Sequence, residues 1–246
     1  MLAQILSQGE MISKADIKLI RSLREKKFRD ESGLFVVEGE KMVQEAIDSS
    51  FDVVGIFRKD EIGEETMSRI SMLNTPSPAL AIVRIPETKP VREIPDGLYL
   101  ALDSVRDPGN LGTIVRLADW FGVDGIFASY DTVELFNPKT VQSTMGAIFR
   151  KPVTYCNLEG ICRLFTSAGR PVYGTFMEGD NIYSTELRSD ALVVMGNEAR
   201  GISPAISSLV TSRIHIPSFA DGPTAESLNV AIATAVTISE FRRRTV

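Results

Sequence analysis

The sequence predicts an α/β fold with a mostly parallel sheet in its larger C-terminal part and a smaller α/β unit before it. Short apolar segments alternate with longer amphipathic ones along most of the chain, which is the pattern of strands and helices in layered α/β proteins. The apolar segments are hydrophobic throughout, as in strands that are covered on both faces of a parallel sheet. One proline-rich stretch, 86–97, interrupts the alternation and is predicted to be a linker.

The N-terminal part, 1–85, is predicted to hold three strands, at 34–38, 52–57 and 79–85. A charged helix over 13–29 begins at Ser13, a residue type that favours the N-cap position. Further helices are predicted at 39–49 and 62–73. Between residues 12 and 30 there are seven basic side chains and three acidic ones, although the whole chain has a net charge of −5. This basic segment is either a solvated helix face or a surface for an anionic partner.

The C-terminal part, 98–246, repeats the alternation with six strands and five helices. The strands are predicted at 98–102, 125–129, 152–156, 171–176, 191–196 and 213–217, and the helices at 111–121, 138–146, 158–168, 203–209 and 227–243. In the last helix Leu228, Ile232 and Val236 recur at near-helical spacing, with alanines between them. This face either packs on its own sheet or meets the same helix of a second copy.

The composition limits the chemistry that can be expected. No apolar run has the length of a membrane span, and the first 18 residues lack the features of a signal peptide, so a cytoplasmic protein is expected. Cys156 and Cys162 match no zinc motif and are expected to be reduced. His215, the single histidine, lies in an apolar strand, which favours a hydrogen-bonded core imidazole. No metal cluster, catalytic Ser–His–Asp motif or G-x-G-x-x-G loop is present.

Three loops, each following a predicted strand, carry the polar residues that favour a ligand site. They read DSVRDPGNLGTIVR (103–116), VVMGNEARGIS (193–203) and IPSFADGPTAESLNV (216–230). Because the carboxyl ends of parallel strands lie at one edge of a sheet, the loops are expected to meet there. Each residue alone suits an ordinary role as a helix cap or a surface charge, and only the order of the three loops favours a functional role. The candidate residues are Asn110, Arg116, Glu198, Ser227 and Asn229.

In these loops the chain resembles the SpoU/TrmH family of RNA ribose 2′-O-methyltransferases, within the SPOUT superfamily. The first motif is matched by Asn110-x-Gly112-x-x-x-Arg116, the second by 194–201, and the third by Ile216-Pro217 followed by 227–231. The segment FVVEGEKMVQEAI (35–47) resembles that family's smaller substrate-binding domain. The third loop departs from the family pattern: it is about three residues longer than usual and has Ser218 where Met is common.

The resemblance implies a C-terminal methyltransferase domain over 98–246 with a deep trefoil knot, joined by the linker to an N-terminal RNA-substrate-binding domain over 1–85. It also implies a homodimer, and S-adenosylmethionine as the cofactor. By analogy with the family, the cofactor is expected to contact Thr175, Phe176, Met177, Gly196, Asn197, Ile216, Pro217, Ser227 and Leu228. No metal ion is expected in the reaction.

The resemblance assigns the central catalytic role to Arg116, with Asn110, Glu198, Ser227 and Asn229 orienting it and the ribose. The family's arginine is often regarded as the base, but a guanidinium group normally stays protonated, so Arg116 is alternatively a clamp for a phosphate and for the developing alkoxide. The basic residues expected to contact RNA phosphates are Arg24, Lys26, Lys27 and Arg29. Ribosomal RNA is the expected substrate. Transfer RNA, methylation of a base nitrogen and a non-catalytic RNA-binding relative are the alternatives.

Overall fold

A computed structural model describes residues 12–87, 91, 93–223 and 225–244 of the chain. The structure divides into two compact units. Unit 1 comprises the described residues of Met1–Lys89 together with Glu134–Arg150, and unit 2 comprises those of Pro90–Val133 and Lys151–Val246. The division predicted from the sequence followed chain order, and it therefore placed 134–150 in the C-terminal domain rather than with the N-terminal residues.

Unit 1 is built on a three-stranded antiparallel sheet in the order β1-β3-β2. Its strands are β1 (Leu34–Glu38), β2 (Val53–Arg58) and β3 (Ala79–Arg84), and its first five helices are α1 (Lys14–Ser22), α2 (Lys26–Ser32), α3 (Glu40–Ile47), α4 (Lys59–Ile62) and α5 (Glu64–Ile70). Apolar side chains of α1, α5 and the sheet form one buried cluster that includes Ile20, Leu23 and Met67. The three predicted strands are present, and their alternation with helices did not reveal that they pair antiparallel.

Two helices predicted as continuous are broken in the structure. The predicted helix 13–29 ends at Ser22 and restarts at Lys26. At the break, Nη1 of Arg29 donates hydrogen bonds to the carbonyl oxygens of Leu23 and Arg24, at 2.7 and 2.8 Å, and these satisfy carbonyls left over at the end of α1. The predicted helix 62–73 is interrupted at Gly63, whose φ of 81° lies outside the helical region.

Residues 134–150 belong to unit 1 because their aromatic and charged side chains complete its packing. Phe136 lies 4.8 Å from Phe35 between ring centroids, and Phe149 lies 5.2 Å from Phe51. Glu134 forms an ion pair of 2.6 Å with Arg29. Sequence periodicity detects none of these long-range contacts, so the boundary could not be found from the chain order of the elements.

Unit 2 is built on a six-stranded sheet in the order β6-β5-β4-β8-β7-β9, and every described pairing in it is parallel. Its elements are β4 (Leu98–Leu102), α6 (Pro108–Trp120), β5 (Gly125–Ala128), β6 (Val153–Tyr155), α8 (Leu158–Ser167), β7 (Val172–Asn181), β8 (Ala191–Met195), α9 (Pro204–Ser207), β9 (Ser212–His215) and α10 (Val230–Arg243). Between β5 and β6 the chain forms α7 (Pro138–Thr144) and a 3-10 turn (Ala147–Phe149) of unit 1. The prediction of an α/β fold with a mostly parallel sheet is confirmed.

The buried core of unit 2 includes Tyr99, Phe127, Phe165 and Val194. Cys156 and Cys162 are both free thiols, and burial raises the pKa of each to about 11, which keeps them protonated at neutral pH. His215 does not match its prediction. It is only half-buried, and its Nδ1 is buried without a hydrogen-bond partner among the described residues. Within the described part of the chain, no helix is both long enough and apolar enough to cross a lipid bilayer.

The end of α10 is held in place by a buried carboxylate. Glu240 is 5% exposed and accepts hydrogen bonds of 2.8 Å from Arg243 and Arg244. Arg244 also donates to the carbonyl oxygens of Ile182, at 2.8 Å, and Thr185. Hydrogen bonds from Arg243 and then Arg244 lower the pKa of Glu240 from 4.5 to about 2. The arginines at the end of the chain therefore anchor α10, rather than forming a free basic cluster.

Replacing Glu240 with Gln is expected to destabilise the protein by about 2–3 kcal/mol, because the two arginines lose their buried charged acceptor. The pKa of Glu240 is lower in the folded state, so its contribution is fully present above pH 4.5 and is lost as the pH falls towards 2. Urea unfolding of both proteins at pH 7 and pH 3 measures this contribution. Equal free energies of unfolding at pH 7 would contradict the prediction.

Candidate active site

The polar loops of unit 2 meet at the point in the sheet where the order of the strands reverses. From β4 the chain continues outward to β5 and β6, and the later strand β8 pairs with β4 on the other side, with Leu102 opposite Met195. The crevice beyond the carboxyl ends of two such strands is where ligands bind in open parallel sheets. The first and second loops follow these two strands directly, so they lie next to each other.

The first loop leads into α6 through a well-formed helix start. Asp107 is the N-cap, and its carboxylate accepts a 2.9 Å hydrogen bond from the backbone N–H of Asn110, while Pro108 occupies the first turn. Asn110 is therefore not the cap itself, which was the ordinary role considered for it. Its side-chain amide is instead available for other contacts. An acid followed by proline is a recognisable start signal, and it could have located this cap from the sequence.

The second loop is a tight turn that depends on glycine. Backbone hydrogen bonds of 3.0 and 2.9 Å join Asn197 and Gly201 in both directions. A Cβ on Gly196 would lie 2.3 Å from the backbone of Gly201, so the turn closes only with glycine there. The side chain of Asn197 accepts from the N–H groups of Ala199 and Arg200, both at 3.0 Å. This turn fixes the position of Glu198, which lies between Asn197 and Ala199.

Glu198 joins the second loop to the first. Its carboxylate accepts hydrogen bonds from the backbone N–H groups of Arg106, at 3.1 Å, and Asp107, at 3.0 Å, and from Nδ2 of Asn110, at 3.0 Å. Partial burial alone would raise the pKa of Glu198. The hydrogen bonds from Asn110, Asp107 and Arg106 outweigh that effect and hold the pKa below its usual value. Glu198 is thus ionised at neutral pH and serves as an acceptor.

The third loop reaches the same cluster through Asn229. Nδ2 of Asn229 donates a 2.9 Å hydrogen bond to Oδ1 of Asn110. Oδ1 of Asn229 caps α10 by accepting from the N–H groups of Ala231 and Ile232, at 2.9 and 3.3 Å. The predicted helix 227–243 therefore begins only at Val230. We call Asn110, Glu198 and Asn229, which together link all three loops, the polar triad.

The structure does not bring the other two candidates into the polar triad. Arg116 and Ser227 are exposed, and the side chain of neither forms a hydrogen bond or ion pair with another residue that the structure describes. The expectation that the polar residues orient Arg116 is therefore not met by direct contact. Arg116 lies on α6 one turn before Trp120, and both side chains point to solvent.

The segments expected to hold the cofactor follow β8 and β9, except for Thr175, Phe176 and Met177, which lie within β7. These three strands are neighbours in the sheet. Oγ1 of Thr175 donates a 3.0 Å hydrogen bond to the carbonyl oxygen of Val194. Met177 and Leu228 are exposed apolar side chains, at 66% and 51%. The N–H groups of Ile216 and Leu228 have no partner among the described residues. Open backbone donors beside apolar side chains suit a nucleoside, which is bound largely by packing and main-chain hydrogen bonds.

The other residues expected to contact the cofactor differ in how far they are buried. Phe176, Asn197, Ile216 and Pro217 are half-buried, Gly196 is buried, and Ser227 is exposed. Among the described residues no group of three or more His, Cys, Asp or Glu side chains is arranged to hold a metal ion.

Sequence reasoning missed two residues that brace the triad. Asp103 is 5% exposed and accepts a 2.7 Å hydrogen bond from the N–H of Ser203, which ties the end of β4 to the second loop. The carbonyl oxygen of Ser104 accepts a 2.7 Å hydrogen bond from Nδ2 of Asn197. Ser104 has a φ of +60°, in the left-handed region, and nothing in its residue type predicts that conformation.

Comparison with known protein families identifies the family of this chain. Residues 97–239 match the model of the SpoU rRNA methylase family, which includes all three loops. The chain belongs to the SpoU rRNA methylase family. Residues 14–77 match the MRM3-like substrate binding domain, in the region predicted to bind RNA. The family resemblance inferred from the three motifs is thereby confirmed.

Relatives within the SpoU family cover nearly the whole chain. The 23S rRNA (guanosine(2553)-2′-O)-methyltransferase RlmP of Bacillus subtilis is 31% identical over 96% of this chain and 100% of its own length. A structure from Porphyromonas gingivalis, described as a TrmH-family RNA methyltransferase, is 39% identical over 96% of this chain and 100% of that chain, with a TM-score of 0.86. The AdoMet-bound rRNA methyltransferase of Sinorhizobium meliloti is 32% identical over 95% and 97% of the two chains, with a TM-score of 0.85.

Not all of the basic residues that were expected to contact RNA phosphates in this SpoU-family chain can reach a phosphate. Arg29 is 1% exposed, and its guanidinium binds Glu134 at 2.6 Å as well as two carbonyl oxygens. Its assignment to RNA is therefore wrong, because a buried and fully paired arginine cannot reach a phosphate. Arg24, Lys26 and Lys27 are exposed. Among the residues that the structure describes, the two lysines form ion pairs only with Asp30 and Glu31 on the same helix, and such surface pairs are weak.

Proposed function

We propose that this chain transfers a methyl group from S-adenosylmethionine to a ribose 2′-hydroxyl of ribosomal RNA. Family membership supports the reaction class, and RlmP supplies the parallel for ribosomal RNA as substrate. The observation that carries the proposal is the polar triad. It joins the three family loops at the topological switch point of the sheet, where a substrate on one side and a cofactor on the other can meet.

S-adenosylmethionine, when bound, supplies a methyl group that is already activated for transfer. The chain's part is to hold the cofactor and to align the ribose hydroxyl with the methyl carbon. Thr175, Met177, Ile216 and Leu228 are proposed to hold the nucleoside through packing and backbone hydrogen bonds. Asn110, which donates a hydrogen bond to Glu198, and Asn229, which donates one to Asn110, are proposed to orient the ribose. Positioning of this kind can lower a barrier by about 7–11 kcal/mol.

Arg116 is proposed to act as an electrostatic clamp. Its guanidinium is exposed and has no partner among the described residues, so it is available to a phosphate beside the reacting ribose. A protonated guanidinium also stabilises the negative charge that develops on the 2′-oxygen as its proton is lost to solvent water. Because, within the described part of the chain, no hydrogen bond or ion pair joins the Arg116 side chain to the triad, its role is separate from that of Glu198, and the two residues can be tested independently.

We propose that the protein works as a homodimer through α6 and α10, which pack against each other. Trp120 on α6 is 84% exposed and Ile232 on α10 is 54% exposed. Large apolar side chains on adjoining helices are typical of the core of an interface. Arg116 lies on the same side of α6 as Trp120, so a second copy bound there would come close to the reacting groups.

We also propose a knot in the C-terminal part and separate roles for the two domains. A deep trefoil knot in the C-terminal part is supported by the sheet order, since β8 lies between β4 and the earlier strand β7. We propose RNA-substrate binding for the N-terminal domain predicted over 1–85, with 86–97 as its linker and 98–246, apart from the residues 134–150 that pack in unit 1, as the knotted methyltransferase domain. A cytoplasmic location and a reaction without a metal ion also remain predictions.

Methyl transfer to total RNA from a strain that lacks this gene tests the function directly. With radiolabelled S-adenosylmethionine, label is expected in large ribosomal RNA, and blocked cleavage at one ribose would map its 2′-position. Label confined to transfer RNA would overturn the substrate assignment, and label on a base nitrogen would overturn the reaction. Binding of the cofactor without any transfer would support a non-catalytic relative. Adding a chelator tests the expected independence from metal ions.

Replacing both Lys26 and Lys27 with Gln is expected to weaken RNA binding about 10- to 100-fold at 0.1 M salt, because two phosphate contacts are lost. The slope of log affinity against log salt concentration should fall by about 2. Filter binding of ribosomal RNA over a salt series measures both quantities. The matched control is Lys59→Gln, a lysine of α4 paired with Glu64. If the double variant keeps the wild-type slope, the two lysines form only a solvated helix face.

A further inference from the structure

An aromatic ring stands exposed beside the polar triad. Tyr130 follows β5 and is 77% exposed. Strand β5 pairs with β4, with Leu102 opposite Ala128, so the turn that carries Tyr130 lies next to the loop that leads to Asn110. The segments proposed to hold the cofactor follow β8 and β9 or lie within β7, on the other side of β4. The turn that carries Tyr130 therefore lies on the side of β4 opposite the segments proposed to hold the cofactor.

The turn that presents Tyr130 is held firmly against the end of β4. The hydroxyl of Ser129 accepts a 2.9 Å hydrogen bond from the N–H of Ser104 and lies 3.0 Å from the hydroxyl of Thr132. Oγ1 of Thr132 donates to the carbonyl oxygen of Leu102 at 3.1 Å. A ring on a turn that is already ordered loses little conformational entropy when a ligand binds to it.

The same turn is connected to the polar triad. The carboxylate of Asp131 accepts a 2.8 Å hydrogen bond from Nη2 of Arg106 and another from the hydroxyl of Ser104. The backbone N–H of Arg106 in turn donates to Glu198 at 3.1 Å. Tyr130 is therefore fixed relative to the residues proposed to orient the ribose.

We propose that the ring of Tyr130 is a stacking surface for a nucleobase of the RNA substrate beside the methylated ribose. An exposed ring gains by covering its apolar faces, and unpaired bases in single-stranded RNA stack on tyrosine in this way. The phenol hydroxyl forms no hydrogen bond with the residues that the structure describes, so the ring carries the proposed function. The inference rests on the proposed RNA methyltransferase activity and adds a specificity-determining residue to it.

The test compares three variants, Tyr130→Phe, Tyr130→Leu and Tyr130→Ala, with unmethylated 23S ribosomal RNA made by transcription in vitro. Loss of one stacked base is expected to weaken RNA binding by Tyr130→Ala about 5- to 100-fold and to raise KM for RNA similarly. Tyr130→Phe should stay within about 2-fold of the wild type, and Tyr130→Leu should resemble the alanine variant. Because no charge changes, the salt dependence of binding should remain that of the wild type.

Two measurements separate a loss of stacking from misfolding and from a general loss of apolar surface. The dissociation constant for S-adenosylmethionine, measured by calorimetry, should be unchanged in all three variants and would reveal misfolding. Leu164→Ala, at an exposed apolar residue of α8, is the control and should bind RNA like the wild type. Wild-type RNA affinity in Tyr130→Ala, or a change in its oligomeric state instead of its RNA affinity, would overturn the proposal. If the wild-type protein methylates no RNA, the proposed function fails, while RNA affinity still decides the stacking role.

Discussion

Replacing Arg116 with Ala is expected to lower the rate of methyl transfer by about 100- to 1,000-fold and to leave S-adenosylmethionine binding within about 2-fold of the wild type. The rate falls because the only group proposed to neutralise charge on the 2′-oxygen is removed. Cofactor binding is preserved because, among the described residues, no hydrogen bond or ion pair joins the Arg116 side chain to the polar triad or to the segments proposed to hold the cofactor. Single-turnover assays with saturating RNA measure the rate, and calorimetry measures cofactor affinity.

Arg116→Lys distinguishes a clamp from a simple charge. Lysine keeps the positive charge but loses the planar fork that binds a phosphate through two hydrogen bonds, so an intermediate rate is expected. Full activity in Arg116→Ala would remove this residue from the mechanism. A variant that lost cofactor binding as well would show that Arg116 shapes the fold of the site instead.

Replacing Glu198 with Gln is expected to reduce methyl transfer about 10- to 100-fold, because small displacements of positioning groups have effects of this size. Glu198 accepts hydrogen bonds from Asn110 and from two backbone N–H groups. The amide of a glutamine offers one acceptor oxygen in place of two, and its NH₂ group faces donors that it cannot satisfy. Measurement of kcat with saturating cofactor and RNA tests the effect, and Glu159→Gln, on the surface of α8, is the matched control.

The pH dependence of the same variant provides an independent test. The pKa of Glu198 is below its usual value in the folded protein, so the stability it contributes is fully present above the ordinary carboxylate range and is lost as the pH falls below it. The difference in free energy of unfolding between the wild type and Glu198→Gln should therefore shrink in acid. A difference that stayed constant from pH 7 to pH 3 would show that ionisation of Glu198 is not involved.

The sequence predicted β4, β5 and β8 to within one residue because these strands are buried throughout and leave an uninterrupted apolar signal. Strand β7 extends five residues beyond its predicted end, to Asn181, because its second half is mostly exposed and polar and leaves no such signal. It also identified the three loops, and the structure joins Asn110, Glu198 and Asn229 through hydrogen bonds. Which loop residues would touch could not be predicted, since the separation of Asn110 from Asn229 along the chain contains no information on distance. Arg116 and Ser227 share the same motifs and yet remain apart from the triad.

The predictions that were wrong, for Arg29 and for a continuous first helix, have a common physical origin in long-range contacts. Arg29 has the residue type and the neighbours of a phosphate-binding arginine, but Glu134, far along the chain, buries it. The break between α1 and α2 depends on the same side chain, which binds the carbonyl oxygens that end the first helix. Local propensity favours a single helix here, and tertiary hydrogen bonds override that preference.

Because residues 134–150 pack in unit 1, a single cut in the chain cannot separate the two units. A fragment cut at the proline-rich linker would contain Phe136 and Phe149 without Phe35 and Phe51, the rings against which they pack. It would also leave Glu134 without Arg29. Such a fragment would carry newly exposed aromatic surface and would tend to aggregate. Proteins prepared for crystallography or binding assays should therefore retain both units, or replace 134–150 with a short polar connection.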